Sequence, residues 1–118
     1  MIEVNEYVRT NSGLIFKVNE ITYDEEYKDY LYKESFLLVD WKENIVKHSK
    51  QLIDLIEVGD IVEDEYNKYE VAFVKDDKIY CNDYNLDDSL ITLREQDIKA
   101  ILTKEIYMAN CYKVGGEE

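Results

Sequence analysis

The side chains that could act as nucleophiles, general bases or metal ligands are almost all carboxylates in this chain. His48 is the only histidine, and no spacing around it indicates the partners that a general base or a metal site requires. Cys81 and Cys111 lie 30 residues apart and lack the paired spacing of a zinc site. The four glycines are scattered and cannot form a phosphate-binding loop. We therefore predict no catalytic residue, no bound metal and no cofactor.

One acidic segment matches part of a calcium-binding loop. Asp83, Asn85 and Asp87 stand at the first, third and fifth positions of an EF-hand pattern. The sixth position, which requires glycine, is Asp88, and the twelfth, which requires a bidentate glutamate, is Arg94. Because those two residues close the loop around the ion, the segment predicts only non-specific binding of divalent cations.

Tyrosines are interleaved with acidic residues in both halves of the chain. Two interpretations are open. The acids form a solvated face beside strand tyrosines, or acids and tyrosines together form a protein-binding surface. In the second case the carboxylates take the place of DNA phosphates and meet arginine and lysine of a partner. The residues that we predict to bind the partner are Glu63, Asp64, Glu65, Tyr66, Asp83, Tyr84, Asp87 and Asp88.

The formal net charge is −13 over 118 residues. This excess of acid excludes a general nucleic-acid-binding surface, which needs surplus lysine and arginine. It favours a basic partner, or it serves solubility. Residues 1–54 include 11 acidic and 7 basic residues, whereas residues 55–118 include 16 and 7. The second half is the more acidic one, and it is therefore the stronger candidate for the contact.

The beginning of the chain recurs 54 residues later. Residues 2–8 (IEVNEYV) align with residues 56–62 (IEVGDIV), and residues 49–52 align with residues 103–106 at the same offset. A repeat of this length is one supersecondary unit used twice. Because a unit of about 54 residues is near the lower limit for independent folding, we expect the units 1–54 and 55–118 to pack together as one compact body.

Apolar and β-branched patterning predicts short strands in both units. In the first unit the predicted strands are residues 6–9, 14–21, 30–32, 36–39 and 45–46, followed by a helix over 50–55 that Ser49 caps. In the second unit they are residues 60–62, 69–73, 78–82, 90–93 and 98–102, with an acidic turn over residues 63–67 and a tight turn at Asp76 and Asp77. A helix that Thr103 caps follows them and runs to about Ala109. Residues 93–102 are alternatively helical, and residues 112–115 are a candidate final strand.

These elements predict a mainly β fold of two tandem small barrels of the Src-homology-3 type, each ending in a short helix. One continuous sheet built from both units is the alternative. No apolar run is long enough to span a membrane, and the first residues lack the features of a signal peptide. The two isolated cysteines predict free buried thiols in a cytosolic protein.

Several segments resemble small, mostly uncharacterised proteins of phages and prophages of low-GC Gram-positive bacteria. They are the opening VNEYVRT with the glycine that follows it, residues 45–49 and 52–60, and the closing residues 101–105 and 112–114. The similarity covers most of the chain and includes no motif that assigns a catalytic residue. This resemblance implies a host-takeover or anti-defence protein. That class includes acidic anti-CRISPR proteins that occlude the nucleic-acid channel of an effector.

The leading hypothesis is a cytoplasmic, phage-encoded acidic inhibitor with no enzymatic activity. It would bind the basic nucleic-acid-binding surface of a host protein, such as a CRISPR effector nuclease, and would bind neither nucleic acid nor membranes. The alternative is a β-barrel interaction or scaffolding module that binds a peptide in a groove lined by tyrosines. A carboxylate-dependent metal enzyme is a third hypothesis. Salt separates the first two, because ionic contacts weaken with ionic strength and apolar contacts do not.

Overall fold

The computed structural model describes residues 1–83 and 89–110, and these residues are mainly β. The strands of the first half are β1 Tyr7–Thr10, β2 Ile15–Lys17, β3 Glu20–Asp24, β4 Asp29–Lys33, β5 Val39–Trp41 and β6 Ile45–Ser49. The second half consists of β7 Ile61–Glu63, β8 Lys68–Lys75, β9 Lys78–Asp83, β10 Ser89–Leu93, β11 Ala100–Leu102 and the helix α1 Lys104–Asn110. Short 3-10 helices occupy Lys42–Asn44, Leu52–Leu55 and Glu95–Asp97. None of these helices is long and apolar enough to cross a membrane.

The strands form three antiparallel sheets. Their orders are β2-β1-β6, β3-β4-β5 and β10-β9-β8-β7-β11. The prediction of a mainly β fold is confirmed, but none of the three sheets in the described residues closes into a barrel. No strand of the described first half pairs with a strand of the second. The alternative of one continuous sheet across both units is therefore wrong.

The turn that leads into β1 recurs before β7 with the same hydrogen bonds. The N–H of Glu3 donates to Oε2 of Glu6 at 2.9 Å, and the N–H of Glu57 donates to Oδ2 of Asp60 at 2.8 Å. The residue before each carboxylate has a positive φ, 78° in the first half and 94° in the second. Positions 54 residues apart therefore adopt the same local structure where each half begins.

Each half has its own hydrophobic cluster, and the segment between the halves contributes to the second one. The first cluster consists of Ile2, Val8, Phe16, Val18 and Tyr32. The second consists of Ile53, Ile56, Val62, Val71, Ile79, Cys81 and Leu93. Burying each large aliphatic side chain stabilises the fold by about 1.5–3 kcal/mol. Because Ile53 precedes the repeat boundary at residue 54, the boundary in sequence does not separate the two cores.

An irregularity in β8 brings two valines to the same core. Val71 and Val74 both pair with core residues of β9, and the register shifts between Val71 and Phe73. Without the shift, residues three positions apart would face opposite sides of the sheet. The extra residue turns Phe73 outward, where 40% of it is exposed. The regular alternation predicted for residues 69–73 is therefore wrong at its last residue.

The buried strand predicted over residues 36–39 is wrong for all but Val39, because residues 36–38 form a bent connection. Phe36 is 80% exposed and Leu37 is 75% exposed, and β5 begins only at Val39. The N–H of Glu34 donates to the carbonyl of Leu38 at 2.8 Å, which folds the chain back between β4 and β5. The hydrogen bonds of this tight connection outweigh the hydrophobicity of the segment.

The strand predicted over residues 14–21 divides where the chain passes from one sheet to the next. The N–H of Val18 donates to the backbone carbonyl of Glu6 at 2.8 Å, whereas the N–H of Asn19 donates to the backbone carbonyl of Lys33 in β4 at 2.9 Å.

The helix predicted over residues 50–55 is the 3-10 helix Leu52–Leu55, and Ser49 ends β6 instead of capping that helix.

Candidate functional site

Four of the predicted contact residues, Glu63 to Tyr66, lie at the turn between β7 and β8. Oδ1 of Asp64 accepts hydrogen bonds from the N–H groups of Tyr66 and Asn67, both at 2.8 Å. The N–H of Asp64 donates to the carbonyl of Asn67 at 3.0 Å. The hydrogen bonds from Asn67 and Tyr66 lower the pKa of the Asp64 carboxyl below its usual range. Asp64 therefore shapes the turn, and its carboxylate is charged at neutral pH.

This turn presents Glu65 and Tyr66 to solvent. Tyr66 is 82% exposed and Glu65 is also exposed, whereas Glu63 is half-buried at the end of β7. Asp64, Glu65 and Tyr66 line an open pocket together with Asp97 and Lys99, among others. The side chains of Glu65 and Tyr66 are thus accessible to solvent and contribute little to the core.

The other four predicted contact residues lie at or beyond the end of β9. Asp83 is the last residue of β9 and pairs with Ser89 of β10, and its side chain is outside the described part of the structure. Tyr84, Asp87 and Asp88 lie outside the described residues. Because neighbouring strands run in opposite directions, the last residue of β9 lies at the same end of the sheet as the β7–β8 turn. A shared surface formed by all eight residues stays a prediction.

A buried ion cluster that the sequence did not predict joins the two halves. Arg9 in β1 is fully buried. Its Nη1 and Nη2 donate to Oδ2 and Oδ1 of Asp60 at 2.6 and 2.9 Å. Nη1 also donates to the carbonyl of Leu55 at 2.8 Å, and Nη2 donates to Oε1 of Glu105 at 2.6 Å. This two-pronged pairing with additional acceptors is the geometry that offsets the cost of burying a guanidinium.

Glu57 extends this cluster towards the surface. Its carboxylate lies 2.9 Å from Nζ of Lys104, 3.0 Å from Nζ of Lys47 and 3.7 Å from Nη2 of Arg9. Burial disfavours the charged form of Glu57, but hydrogen bonds from Lys104 and Lys47 and the charge of Arg9 outweigh it and lower its pKa to about 2. Glu57 is ionised and paired at neutral pH, so it is poorly suited to accept a proton from a substrate.

His48 has a structural partner. It lies in β6, and its Nδ1 is 2.7 Å from Oε1 of Glu6. This hydrogen bond lowers the pKa of the Glu6 carboxyl. His48 therefore helps to hold the turn before β1, where Glu6 also accepts the N–H of Glu3.

Cys81 is buried in the second core as a free thiol, which confirms that part of the prediction. Burial raises the pKa of its thiol to about 11, so the thiol is protonated and unreactive at neutral pH. Cys111 lies outside the described residues, as does most of the segment that resembles an EF-hand loop. Within residues 1–83 and 89–110, no three histidine, cysteine or acidic side chains are grouped to hold a metal ion.

No protein-family model, curated protein or solved structure matches the chain. The function of the protein is therefore inferred from its own sequence and geometry.

Proposed function

We propose that the protein is an acidic binding protein that blocks the nucleic-acid-binding surface of a basic partner. The observation that carries this proposal is the turn at residues 64–67, where the hydrogen bonds of Asp64 hold Glu65 and Tyr66 outward. Carboxylates at fixed positions on a β scaffold can replace phosphates and pair with arginine and lysine. The net charge of −13 adds long-range attraction to a basic surface.

In this proposal the protein acts in the cytoplasm of a bacterial host as a phage-encoded inhibitor of a defence protein. The support for that setting is the resemblance to phage proteins at residues 45–49 and 52–60 and at both ends of the chain. A CRISPR effector nuclease is a suitable first partner to test, because such nucleases hold guide and target in a positively charged channel. Inhibition would follow from occupancy of the channel and requires no catalytic residue.

We also propose that each half is an opened variant of the small Src-homology-3-type barrel. The support is the order in which the strands pair. β1 pairs with β2 and β6 in the first half, and β7 pairs with β8 and β11 in the second. The strands β3, β4 and β5 pair in a separate sheet in the first half, and β8, β9 and β10 pair in the same order within the single five-stranded sheet of the second half. A 3-10 helix precedes the last described strand in both halves. A duplicated scaffold allows one copy to specialise in contact.

The proposed surface is tested by a variant with Glu65→Lys and Tyr66→Ser, which leaves the turn-forming Asp64 in place. The assay measures release of fluorescently labelled duplex DNA from a guide-loaded Cas9-type nuclease by fluorescence anisotropy. We expect the natural protein to release the DNA, with potency that falls steeply between roughly 50 and 200 mM salt. The variant should need about 10- to 30-fold more protein for the same release, as for the loss of a central anchor residue.

A matched control carries Glu3→Lys, which makes the same charge change on a side chain that is 66% exposed in the first half. This control should retain most of its potency. Circular dichroism shows whether each variant remains folded. Unchanged potency of a folded Glu65→Lys, Tyr66→Ser variant contradicts the choice of surface, and failure of the natural protein to release DNA contradicts the proposed action on this nuclease.

Peptide binding is a second candidate function, and an apolar groove between the halves favours it. The groove is lined in part by Ile15 of β2, Leu52 and Ile101 of β11, with Tyr7 as the tyrosine in its described lining. Both β2 and β11 are edge strands, so an extended peptide could add to either sheet. Binding in this groove would change little with salt, unlike binding by carboxylates.

A further inference from the structure

The outer face of the β3-β4-β5 sheet has an apolar centre with two aspartates at one end. Residues paired directly across an antiparallel ladder lie on the same face. Thr22, Leu31 and Trp41 pair in one row, and Asp24 pairs with Asp29 in the next row on that face. The opposite face includes Ile21 and Tyr32, which pack in the first core. The row with Trp41 therefore faces away from the core.

Tyr27 lies on this outer face as an aromatic platform. Its ring packs against Trp41 with a centroid distance of 4.2 Å and an angle of 37° between the ring planes, and Tyr27 is 49% exposed. Its hydroxyl donates to Oε2 of Glu43 at 2.6 Å, and its N–H donates to Oδ1 of Asp24 at 2.8 Å. The N–H of Glu43 donates to Oδ2 of Asp29 at 3.1 Å. The exposed ring is thus held in place with three carboxylates close to it.

Two of these carboxylates are arranged at a cost to the free protein. Asp24 and Asp29 stand directly opposite each other across the β3–β4 ladder. Like charges in that relation destabilise a hairpin. A cation bound between them would relieve the repulsion, so this pairing favours a positively charged ligand.

The distribution of charge supports the same sign of ligand. Residues 20–43 include eight acidic and three basic residues, whereas the rest of the first half includes three acidic and four basic residues. All of the net negative charge of the first half therefore lies in the β3-β4-β5 sheet and its connections. A basic partner would be attracted to this sheet before any other part of the first half.

We propose that the outer face of this sheet binds an arginine side chain of a protein partner. The planar guanidinium would stack on the Tyr27 ring while its N–H groups donate to the carboxylates of Asp29 and Glu43. Arginine fits this arrangement better than lysine, because lysine carries a compact charge that neither stacks in a plane nor donates two parallel hydrogen bonds. The inference rests on the proposed function for a basic partner and specifies the group that the partner presents.

Trp41 is the only tryptophan of the chain, so its fluorescence reports on this face alone. The full-length protein is titrated with Gly-Arg-Gly-Arg-Gly and, separately, with Gly-Lys-Gly-Lys-Gly, which carries the same charge. We expect the arginine peptide to change the Trp41 emission and to bind about two- to fivefold more tightly than the lysine peptide. Equal affinities, or no response of Trp41 to either peptide, overturn the inference.

Two variants, each with two carboxylates replaced by amides, distinguish binding at this face from attraction to the overall negative charge. Asp29→Asn with Glu43→Gln keeps the hydrogen-bond acceptors in place and should weaken the arginine peptide at least about threefold. Asp76→Asn with Asp77→Asn removes the same charge from the β8–β9 turn and should leave that affinity unchanged. Equal weakening by both pairs overturns the inference. If the protein does not release DNA but still binds the arginine peptide, the proposed function is contradicted and the arginine site is supported. If the protein releases DNA but does not prefer the arginine peptide, only the arginine site is contradicted.

Discussion

Arg9 shows how one buried charge can fix the arrangement of two halves in an acidic protein. Its acceptors are Leu55, Asp60 and Glu105, all of which lie beyond the first unit. Removing one partner of such a cluster leaves an uncompensated buried charge, which costs about 3–5 kcal/mol. The cluster therefore penalises any arrangement of the halves other than the one observed.

Glu57, at the rim of this cluster, should make stability depend on acid pH. Folding lowers the pKa of this carboxyl from 4.5 to about 2. Its contribution is present above the unfolded value and is lost as the pH falls through the folded value. The free energy of unfolding should therefore decrease between about pH 4.5 and pH 2, by up to about 3 kcal/mol from this group. Urea unfolding at a series of pH values measures this decrease.

Glu57→Gln is the comparison that isolates the group, because Glu6 and Asp64 keep their lowered pKa values in both proteins. The variant should be less stable than the natural protein at pH 7, and the difference should narrow towards pH 2. A difference of the same size at pH 3 and pH 7 would show that Glu57 does not contribute through its charge.

Sequence patterns predicted the acidic turn over residues 63–67 but not the ion cluster. Consecutive acids mark a turn locally, whereas Arg9 meets Asp60 and Glu105 only 51 and 96 residues further along the chain. The repeat gives no signal either, because the position 54 residues after Arg9 is occupied by Glu63. Sequence patterns also did not indicate that Oδ1 of Asp64 accepts two backbone hydrogen bonds within the turn, and a contact of Asp64 with a partner stays a prediction.

At the scale of elements, the tight turn predicted at Asp76 and Asp77 is confirmed. Its sequence can be changed to one that fits the backbone conformation better. The two residues have φ values of 54° and 61°. A two-residue hairpin turn with both φ values positive favours Asn-Gly, because aspartate is strained there and glycine is not. Asp76→Asn with Asp77→Gly should raise the free energy of unfolding by about 1 kcal/mol, measured by urea denaturation.

Asp76→Asn with Asp77→Asn serves as the control for this turn. It removes the same two charges but keeps both Cβ atoms, so it should give a smaller gain. Equal gains from the two variants would assign the effect to charge rather than to backbone conformation.

Most predicted strands correspond to observed ones, because alternating patterns such as those of β4 and β9 depend on short-range sequence. The errors occur where contacts between residues far apart in the sequence determine where a strand begins or ends. The N–H of Val18 donates to Glu6, next to β1, and the N–H of Asn19 donates to Lys33 in β4, so one predicted strand becomes two. Phe36 and Leu37 are hydrophobic enough for a core strand, but the connection between β4 and β5 holds them in solvent. Closure into barrels depends on long-range pairing, for which a repeat offset provides no information.

At the scale of the whole molecule, a close backbone approach seals the junction between the halves. Thr103 was predicted to cap α1, but its Oγ1 donates to the carbonyl of Gly13 at 2.7 Å instead. Gly13 has a φ of 93°. A Cβ atom at this position would collide with Oγ1 of Thr103 and would lie 2.8 Å from Cβ of Glu105. The absence of a side chain at Gly13 therefore lets the first half reach the start of α1.

Gly13→Ala should destabilise the protein more than Gly59→Ala. Both glycines have φ values near 94°, so the backbone strain of a new Cβ is similar. A Cβ added at Gly59, however, would lie 3.6 Å from Cδ of Lys104, which is an ordinary van der Waals contact. The collision at Gly13 should add about 1–3 kcal/mol of destabilisation, as overpacking does in a buried contact. Urea unfolding followed by Trp41 fluorescence measures both variants. Equal losses would show that the junction adapts without cost.

A guanidinium ion is a small molecule in its own right, and the space that Arg9 fills is shaped to receive one. Arg9→Ala would leave the carboxylates of Asp60 and Glu105 around a vacant, fully enclosed site. Millimolar guanidinium, far below the concentrations at which it denatures proteins, could enter that site and restore the missing ion pairs by chemical rescue. The folding of the variant would then respond in a dose-dependent way to a small cation, which the natural chain supplies covalently from its own first strand.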